Sequence, residues 1–296
     1  MTRLPSERPL SKSSPNQPPH PPPPAGPGPL TQVSTLQRDA AGLRAADQMV
    51  CQEAPVEIRL NGRSQVILMA TPMQLEELAL GYCVSEGVVQ EAAQVQGLGL
   101  GAAELPAVGP AHWVDVTLAP ELARAARTRR VAPAATSCGL CGLESLQELP
   151  DDLTPLPAPR PLTELAGVFR LLAGLEAAQA LFARTGGAHA AALGRADGAL
   201  VSVAEDIGRH NALDKALGIA HRAGGWDPAR GLAVLSGRMS YEMAMKIARA
   251  GIPVVASVSA PTGLCVRLLQ QLNITLIAFC RPPRATIFTH PERIIT

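Results

Sequence analysis

From His189 to Phe279 the chain alternates short apolar runs with stretches of helical periodicity, and this pattern limits its fold more than any other feature. The runs predict strands at His189–Leu193 and Ala199–Ala204, separated by a Gly-Arg-Ala-Asp-Gly turn, and a helix over Gly208–Ala223. A strand at Gly231–Leu235, a helix at Ser240–Ala250, a strand at Ile252–Val258, a helix at Thr262–Leu272 and a strand at Ile274–Phe279 follow. Strands that are apolar along their whole length have no face to give to water, so helices must cover both sides of the sheet. The second half is therefore expected to be α/β with a mostly parallel sheet. In such folds ligands bind beyond the carboxyl ends of the strands, where loops meet helix N-termini.

Three loops qualify: Glu205–His210, Ser236–Ser240 and Ser259–Gly263. The first is unusually polar for the entry to a buried helix. Its residues His210 and Asp214, and likewise Asn211 and Lys215, are spaced to meet on one helical face. That spacing suits capping and surface ion pairs. It suits equally a donor-rich mouth in which Arg209, Asn211 and Lys215 join Arg238 to receive a phosphorylated ligand. His189, after Gly186-Gly187, is placed to act as a base or to bond internally. The run Phe279-Cys280-Arg281-Pro282-Pro283-Arg284 leaves a strand end as a rigid cationic turn, fit for phosphate contact or for a plain surface turn.

A second feature precedes this half. Cys138-Gly139-Leu140-Cys141-Gly142 places two thiols two residues apart on a glycine-rich backbone, which points to redox chemistry, sulfur transfer or metal binding. Arg124, Arg127, Arg129 and Arg130 come just before it. A free thiol with pKa near 8.5 is only about 3% thiolate at pH 7, and nearby guanidinium groups would raise that fraction; an ordinary solvated helix face is the competing reading. A structural zinc site needs a second close pair of ligands, and none is present: Cys265 and Cys280 stand alone. A zinc deaminase needs H-x-E ahead of P-C-x-x-C, whereas His189 follows the cysteines and lacks the glutamate. A thioredoxin-like C-x-x-C opens a helix directly after a strand, and this one is bracketed by glycine and proline.

Toward the N-terminus, residues 1–48 carry the run P-N-Q-P-P-H-P-P-P-P-A-G-P-G-P and are expected to be a disordered tail. Residues 49–132 are expected to form a small α+β unit. Two alternating strands flank Asn61-Gly62, a strong hairpin signal, a helix begins near Met73 and ends at Gly87, and His112–Leu118 is a further strand. Cys83 falls on the core face of that helix. Residues 133–162 are expected to be a mobile cysteine loop and a linker, after which Thr163 caps a helix running to Phe182 in an α/β domain over 163–296.

Composition adds bounds. Hydrophobic residues are 47% and aromatics 3%, so Leu, Val, Ile and Ala must build the core. A net charge of +1 gives no general argument for nucleic acid or an anionic membrane, and six cysteines in 296 residues are too few for a disulfide scaffold. A cytoplasmic, non-membrane protein is expected.

Taken in order, T-S-C-G-L-C-G, G-G-A-H-A-A-A-L, E-D-I-G-R-H-N-A-L-D-K, S-G-R-M-S-Y-E-M, S-A-P-T-G-L and F-C-R-P-P-R-A-T-I-F-T-H-P-E-R closely resemble the formate dehydrogenase accessory sulfurtransferases, the FdhD/NarQ family. The resemblance runs from about residue 50 to the end. It implies a three-layer core similar to cytidine deaminases, with a mixed sheet and no zinc. It also implies a protein that takes persulfide sulfur from a cysteine desulfurase and passes it to the molybdenum or tungsten bis(guanine dinucleotide) cofactor of formate dehydrogenase. Cys138 would carry the persulfide with Cys141 as its partner, and the cofactor, bound as substrate, would meet Phe279–Arg284. The family also suggests a homodimer. Some relatives have cysteine where this chain has Ala188, and glycine where it has Pro283. The rival function is a non-catalytic chaperone that delivers the cofactor to apo formate dehydrogenase.

Overall fold

The fold is that of a computed structural model, in which residues 28–40, 42–128 and 153–295 are described. Strands β1 (Leu30–Asp39) and β2 (Gly42–Cys51) form an antiparallel hairpin, pairing Leu30 with Cys51. This corrects the expected tail over its last part, residues 30–48, while residues 1–27 lie outside the described residues. No proline falls between Leu30 and Cys51, so every residue of the hairpin has an amide N–H and a ladder can close. Next come β3 (Ala54–Leu60) and β4 (Arg63–Ala70), joined as predicted at Asn61-Gly62, where φ is 50° and 74°. The Asn61 side chain donates to the Leu118 carbonyl at 2.9 Å and accepts from its amide at 2.8 Å, pinning this turn to a neighbouring strand end.

Helix α1 (Leu75–Ser85), strands β5 (Gly97–Leu105) and β6 (Gly109–Thr117), and helix α2 (Pro120–Thr128) complete the first unit, whose sheet order is β4-β3-β6-β5. Strand β5 is not foreseen by the sequence. Its G-L-G-L-G start has no β-branched residue, and it forms because Gly101 gives up its side-chain space to Trp113: a Cβ there would lie 2.1 Å from the indole ring. Leu78, Tyr82 and Cys83 of α1 pack on Val56, Ile58, Val114 and Val116. Burial pushes the Cys83 thiol up to about 12, in keeping with a core residue.

The described part of the expected linker is fixed in place. Leu153 is buried in the second core, and the Leu156 amide donates to Leu272 O at 3.0 Å. Thr163 does not cap a helix. It lies in β7 (Thr163–Glu164), and its hydroxyl donates to Ala196 O at 2.6 Å. The helix predicted to reach Phe182 is broken into α3 (Leu165–Ala177) and α4 (Ala180–Thr185).

The second sheet is built from β8 (His189–Arg195), β9 (Leu200–Asp206), β10 (Gly231–Leu235), β11 (Val254–Ser257), β12 (Thr275–Arg281) and β13 (Arg284–Thr289) in the order β13-β12-β11-β10-β8-β9. Between them run α5 (Arg209–Ala223), α6 (Tyr241–Arg249) and α7 (Gly263–Gln271), and β14 (Ile294–Ile295) returns to pair with β7. Helices α5, α6 and α7 cover one face and α3 the other, as two-sided apolar strands require. The sheet is mixed and not mostly parallel: only β10–β11 and β11–β12 run parallel. Short turns join β8 to β9 and β12 to β13, and such turns can join only antiparallel neighbours.

Helices α1 and α5 join the two units at backbone contact. A Cβ on Gly81 would lie 1.7 Å from Asp214 O, and one on Gly218 would lie 2.0 Å from Glu77 O. Two buried ion pairs lie at this seam. Lys215 Nζ donates to Asp206 Oδ2 at 2.6 Å and to Thr71 O at 2.9 Å. Lys246 Nζ donates to both Asp214 oxygens, at 3.0 and 2.9 Å, and Ser85 donates to Asp214 at 2.6 Å. Among the described residues no helix is long and apolar enough to cross a membrane.

Candidate functional site

All the predicted loops open at one end of the second sheet. Because β8 runs against β10, its first residue lies beside the last residues of its neighbours, so His189 pairs with Asp206 and Ala191 with Leu235. Backbone and hydroxyl bonds then carry the rim across the sheet. Ser236 exchanges bonds with Ala190, its amide donating to Ala190 O at 3.0 Å and its hydroxyl accepting from Ala190 N at 2.9 Å. The Ser257 hydroxyl donates to Gly237 O at 2.6 Å, Met239 N donates to Ala260 O at 3.2 Å, and Thr262 N returns a bond to Met239 O at 3.0 Å. Finally Phe279 N reaches Ser259 O at 3.3 Å. The frame thus runs unbroken from His189 to Phe279.

At the His189 end, Gly237 is the spacer. A Cβ there would lie 3.4 Å from His189 Nδ1 and from Arg209 Cβ, so glycine lets these two side chains flank one loop. Burial lowers the His189 pKa, and Arg209 adds to this while Asp206 opposes it. His210 is pushed down to about 4 by burial and then by Arg209 and Lys246, so it is neutral at pH 7. Its Nε2 lies 3.1 Å from Glu242 Oε2. Burial raises the Glu242 pKa, with Glu86 adding to it. With Lys246 paired to Asp214 and Glu86, the remaining positive charge of this end rests on Arg209, whose buried Nε has no hydrogen-bond partner among the described residues, and on the exposed Arg238.

The predicted i, i+4 pairs within α5 do not form. His210 turns to Glu242, Asp214 to Lys246, Asn211 to Met69 O at 2.8 Å and Lys215 to Asp206. Lys215 is fully buried, so it cannot belong to a cationic mouth, and the bond of Asn211 to Met69 is likewise structural. Burial alone would lower the Lys246 pKa, but Asp214 and Glu86 outweigh it and hold the ammonium charged. Glu205 also leaves the mouth: its carboxylate accepts from the Leu181 and Phe182 amides, both at 2.8 Å, and so caps α4.

At the other end, the expected turn Phe279–Arg284 is the tip of a hairpin. Arg281 pairs with Arg284 across Pro282-Pro283, a cis bond, and both arginines are exposed. Phe279 has φ 51° and is 50% exposed. Cys280 points the other way, into the core against α3, where burial pushes its thiol up to about 11. Its side chain is part of the core and not of the rim. Cys138, Cys141, Arg129 and Arg130 lie outside the described residues, as does any side-chain contact of Arg127. Among the described residues no group of three or more His, Cys, Asp or Glu is placed to hold a metal.

Sequence reasoning missed Ser85, Glu86, Glu242 and Lys246, which surround the α5 polar segment from other elements. Only the fold brings them there. Residues 51–295 match the FdhD/NarQ family, and the match spans both units, the cysteine pair and the whole rim. The chain belongs to this family. It is 42% identical over 264 residues to the sulfur carrier protein FdhD of Bordetella bronchiseptica, covering 89% of this chain and 94% of that one. It is 39% identical over 268 residues to the protein of the same name from Xanthomonas euvesicatoria, covering 90% and 93%. The fold matches the crystal structure of a protein described as a formate dehydrogenase accessory protein from Desulfotalea psychrophila, with TM-score 0.68 and 24% identity over 90% of this chain and 99% of that one.

Proposed function

We propose that the chain is a sulfur carrier, a sulfurtransferase that accepts persulfide sulfur from a cysteine desulfurase and hands it to the molybdenum bis(guanine dinucleotide) cofactor required by formate dehydrogenase. The carrying observation is the Cys138-Gly-Leu-Cys141 pair inside a family match to relatives named sulfur carrier protein FdhD. In the first step the Cys138 thiolate attacks the outer sulfur of the donor persulfide. One S–S bond forms, one breaks, and the desulfurase leaves as a thiolate, so no outside oxidant or reductant is needed. Cys141, three residues further along the sequence, is the thiol we expect to shield the new persulfide or to displace its sulfur.

The cofactor enters as substrate. The exposed Arg281 and Arg284 at the hairpin tip, with Arg209 and Arg238 along the rim, supply charge of the sign that its phosphates require. The antiparallel β8–β9 hairpin followed by three parallel strands supports kinship with the cytidine deaminases. A cytoplasmic homodimer is the form we expect. The test is intact mass after incubation with a desulfurase and cysteine. One sulfur is gained by the native chain and none by Cys138→Ala; cofactor binding without any gain would instead establish the delivery chaperone.

A further inference from the structure

A two-stranded hairpin is marginal in water by itself and holds its shape best when a further surface covers it. Among the described residues the β1–β2 arm has such cover at its base. There Gln52 N donates to Pro29 O at 2.9 Å, and Cys51 Sγ lies 3.1 Å from Thr185 Oγ1 of α4. The ladder of the arm joins no further strand, and every described residue from Arg38 to Ala45 is exposed. Leu36 lies opposite Ala45 and Arg38 opposite Leu43, so Leu36, Ala45 and Leu43 share one face of the outer half. The two leucines are 73% and 69% exposed. Open strand edges are normally guarded by charge or proline, and β1 carries neither from Leu30 to Gln37.

A second apolar surface of the chain is left open in the same way. Val66 and Leu68 of β4 turn toward the core under α1, so Ile67 and Met69 point to the opposite face, 64% and 49% exposed. They stand on the edge strand of the first sheet, opposite Glu57 and Pro55 of β3. Within one chain the arm and this face do not cover each other, since both stay exposed. Their charges are balanced: the arm has Arg38 and Arg44 with Asp39 and Asp47, and Glu57 is paired with Arg59. Two copies can therefore meet here without like charges opposed. Ten-residue strands are about 33 Å long and two side by side about 10 Å wide, so one arm face spans roughly 330 Å². Two arms exchanged across a two-fold axis, each with the surface beneath it, bury about 1,300 Å² together, more than the ~1,000 Å² that a specific interface needs.

We infer that β1–β2 is a dimerisation arm, whose Leu36 and Leu43 seat on Ile67 and Met69 of a second copy of this chain while that copy's arm returns the contact. Each chain then gives one arm and receives one, and both open apolar surfaces are covered by a single symmetric exchange. The inference rests on the homodimer expected above and assigns its interface.

The test is light scattering on the full chain over a concentration series. The native chain is expected as a dimer. Leu36→Lys with Leu43→Lys should raise its dissociation constant about a hundredfold or more, and so should Ile67→Glu with Met69→Glu. All four side chains are exposed in the single chain, so the monomeric variants should keep native circular dichroism. Mixing the two variants should restore a dimer, because one arm then meets its native surface and the other meets opposite charge. A dimer that both variants leave unchanged overturns the arm and keeps the homodimer, while a monomeric native chain overturns both. Loss of the dimer without recovery on mixing shows a different contact and also overturns the inference.

Discussion

The α1–α5 seam and the β12–β13 hairpin use residues in opposite ways. At the seam, lysines and aspartates are buried and two glycines replace side chains with backbone contact. At the hairpin, two phenylalanines face solvent and a residue other than glycine holds a left-handed conformation. Charge inside and aromatic surface outside both run against the ordinary partition of residues. The resolution differs, however. Every described partner of Lys215 and Lys246 lies within the chain, so the buried charges answer one another and bind two units into one body. The exposed rings have, among the described residues, only each other as an aromatic partner, and that contrast separates residues that close the seam from residues left at the surface.

The contrast breaks most readily at Lys215. Lys215→Met leaves Asp206 buried without its cation and should cost about 3–5 kcal/mol of unfolding free energy by urea titration. A stable variant would mean that the pair does not close the seam. Gly81→Ala should cost about 3 kcal/mol or more, since the added methyl must displace the Asp214 carbonyl. Phe279→Gly should gain about 1 kcal/mol of stability in the same titration by relieving the left-handed strain. A loss of stability would place Phe279 with the structural residues.

The smallest effect concerns pH. His210 binds its proton more weakly folded, at about 4, than its ordinary 6.5, so between these values the unfolded chain takes up more protons. Its contribution to stability is therefore present above pH 6.5 and lost as pH falls toward 4. Glu242, facing it, opposes this because its raised pKa favours the folded protonated form. Arg209, Lys246, His189 and Glu86 also face His210 and set its shift. Denaturation midpoints at pH 7.5 and 5 should converge in His210→Gln relative to the native chain; an unchanged difference would assign the slope elsewhere.

Much of this architecture is legible in the sequence because its signals are local. Asn61-Gly62, the apolar strands from Gly231 onward and the α5–α7 periodicity each depend on near neighbours. What was missed depends on distant ones. Strand β5 exists because Trp113 needs the space above Gly101, Thr163 prefers a carbonyl across the chain to a helix cap, and β13 hides behind the prolines of its own turn. The site shows the same division. Loop chemistry placed His189, Arg209, Arg238 and Phe279 at the strand ends, where the structure has them, whereas Lys215 reads as a ligand group until its partner Asp206, nine residues earlier, encloses it.

The frame that ties Ser236, Gly237, Met239, Ser259 and Thr262 into one run has a consequence for motion. Loops above a sheet usually exchange their amide hydrogens with solvent faster than the strands below. Here the Met239 and Thr262 amides are engaged by neighbouring loops, so their deuterium uptake should follow the slow rate of β10 and β11. A ligand arriving at this edge would meet a surface already set, and it would lose little entropy in ordering the floor beneath it.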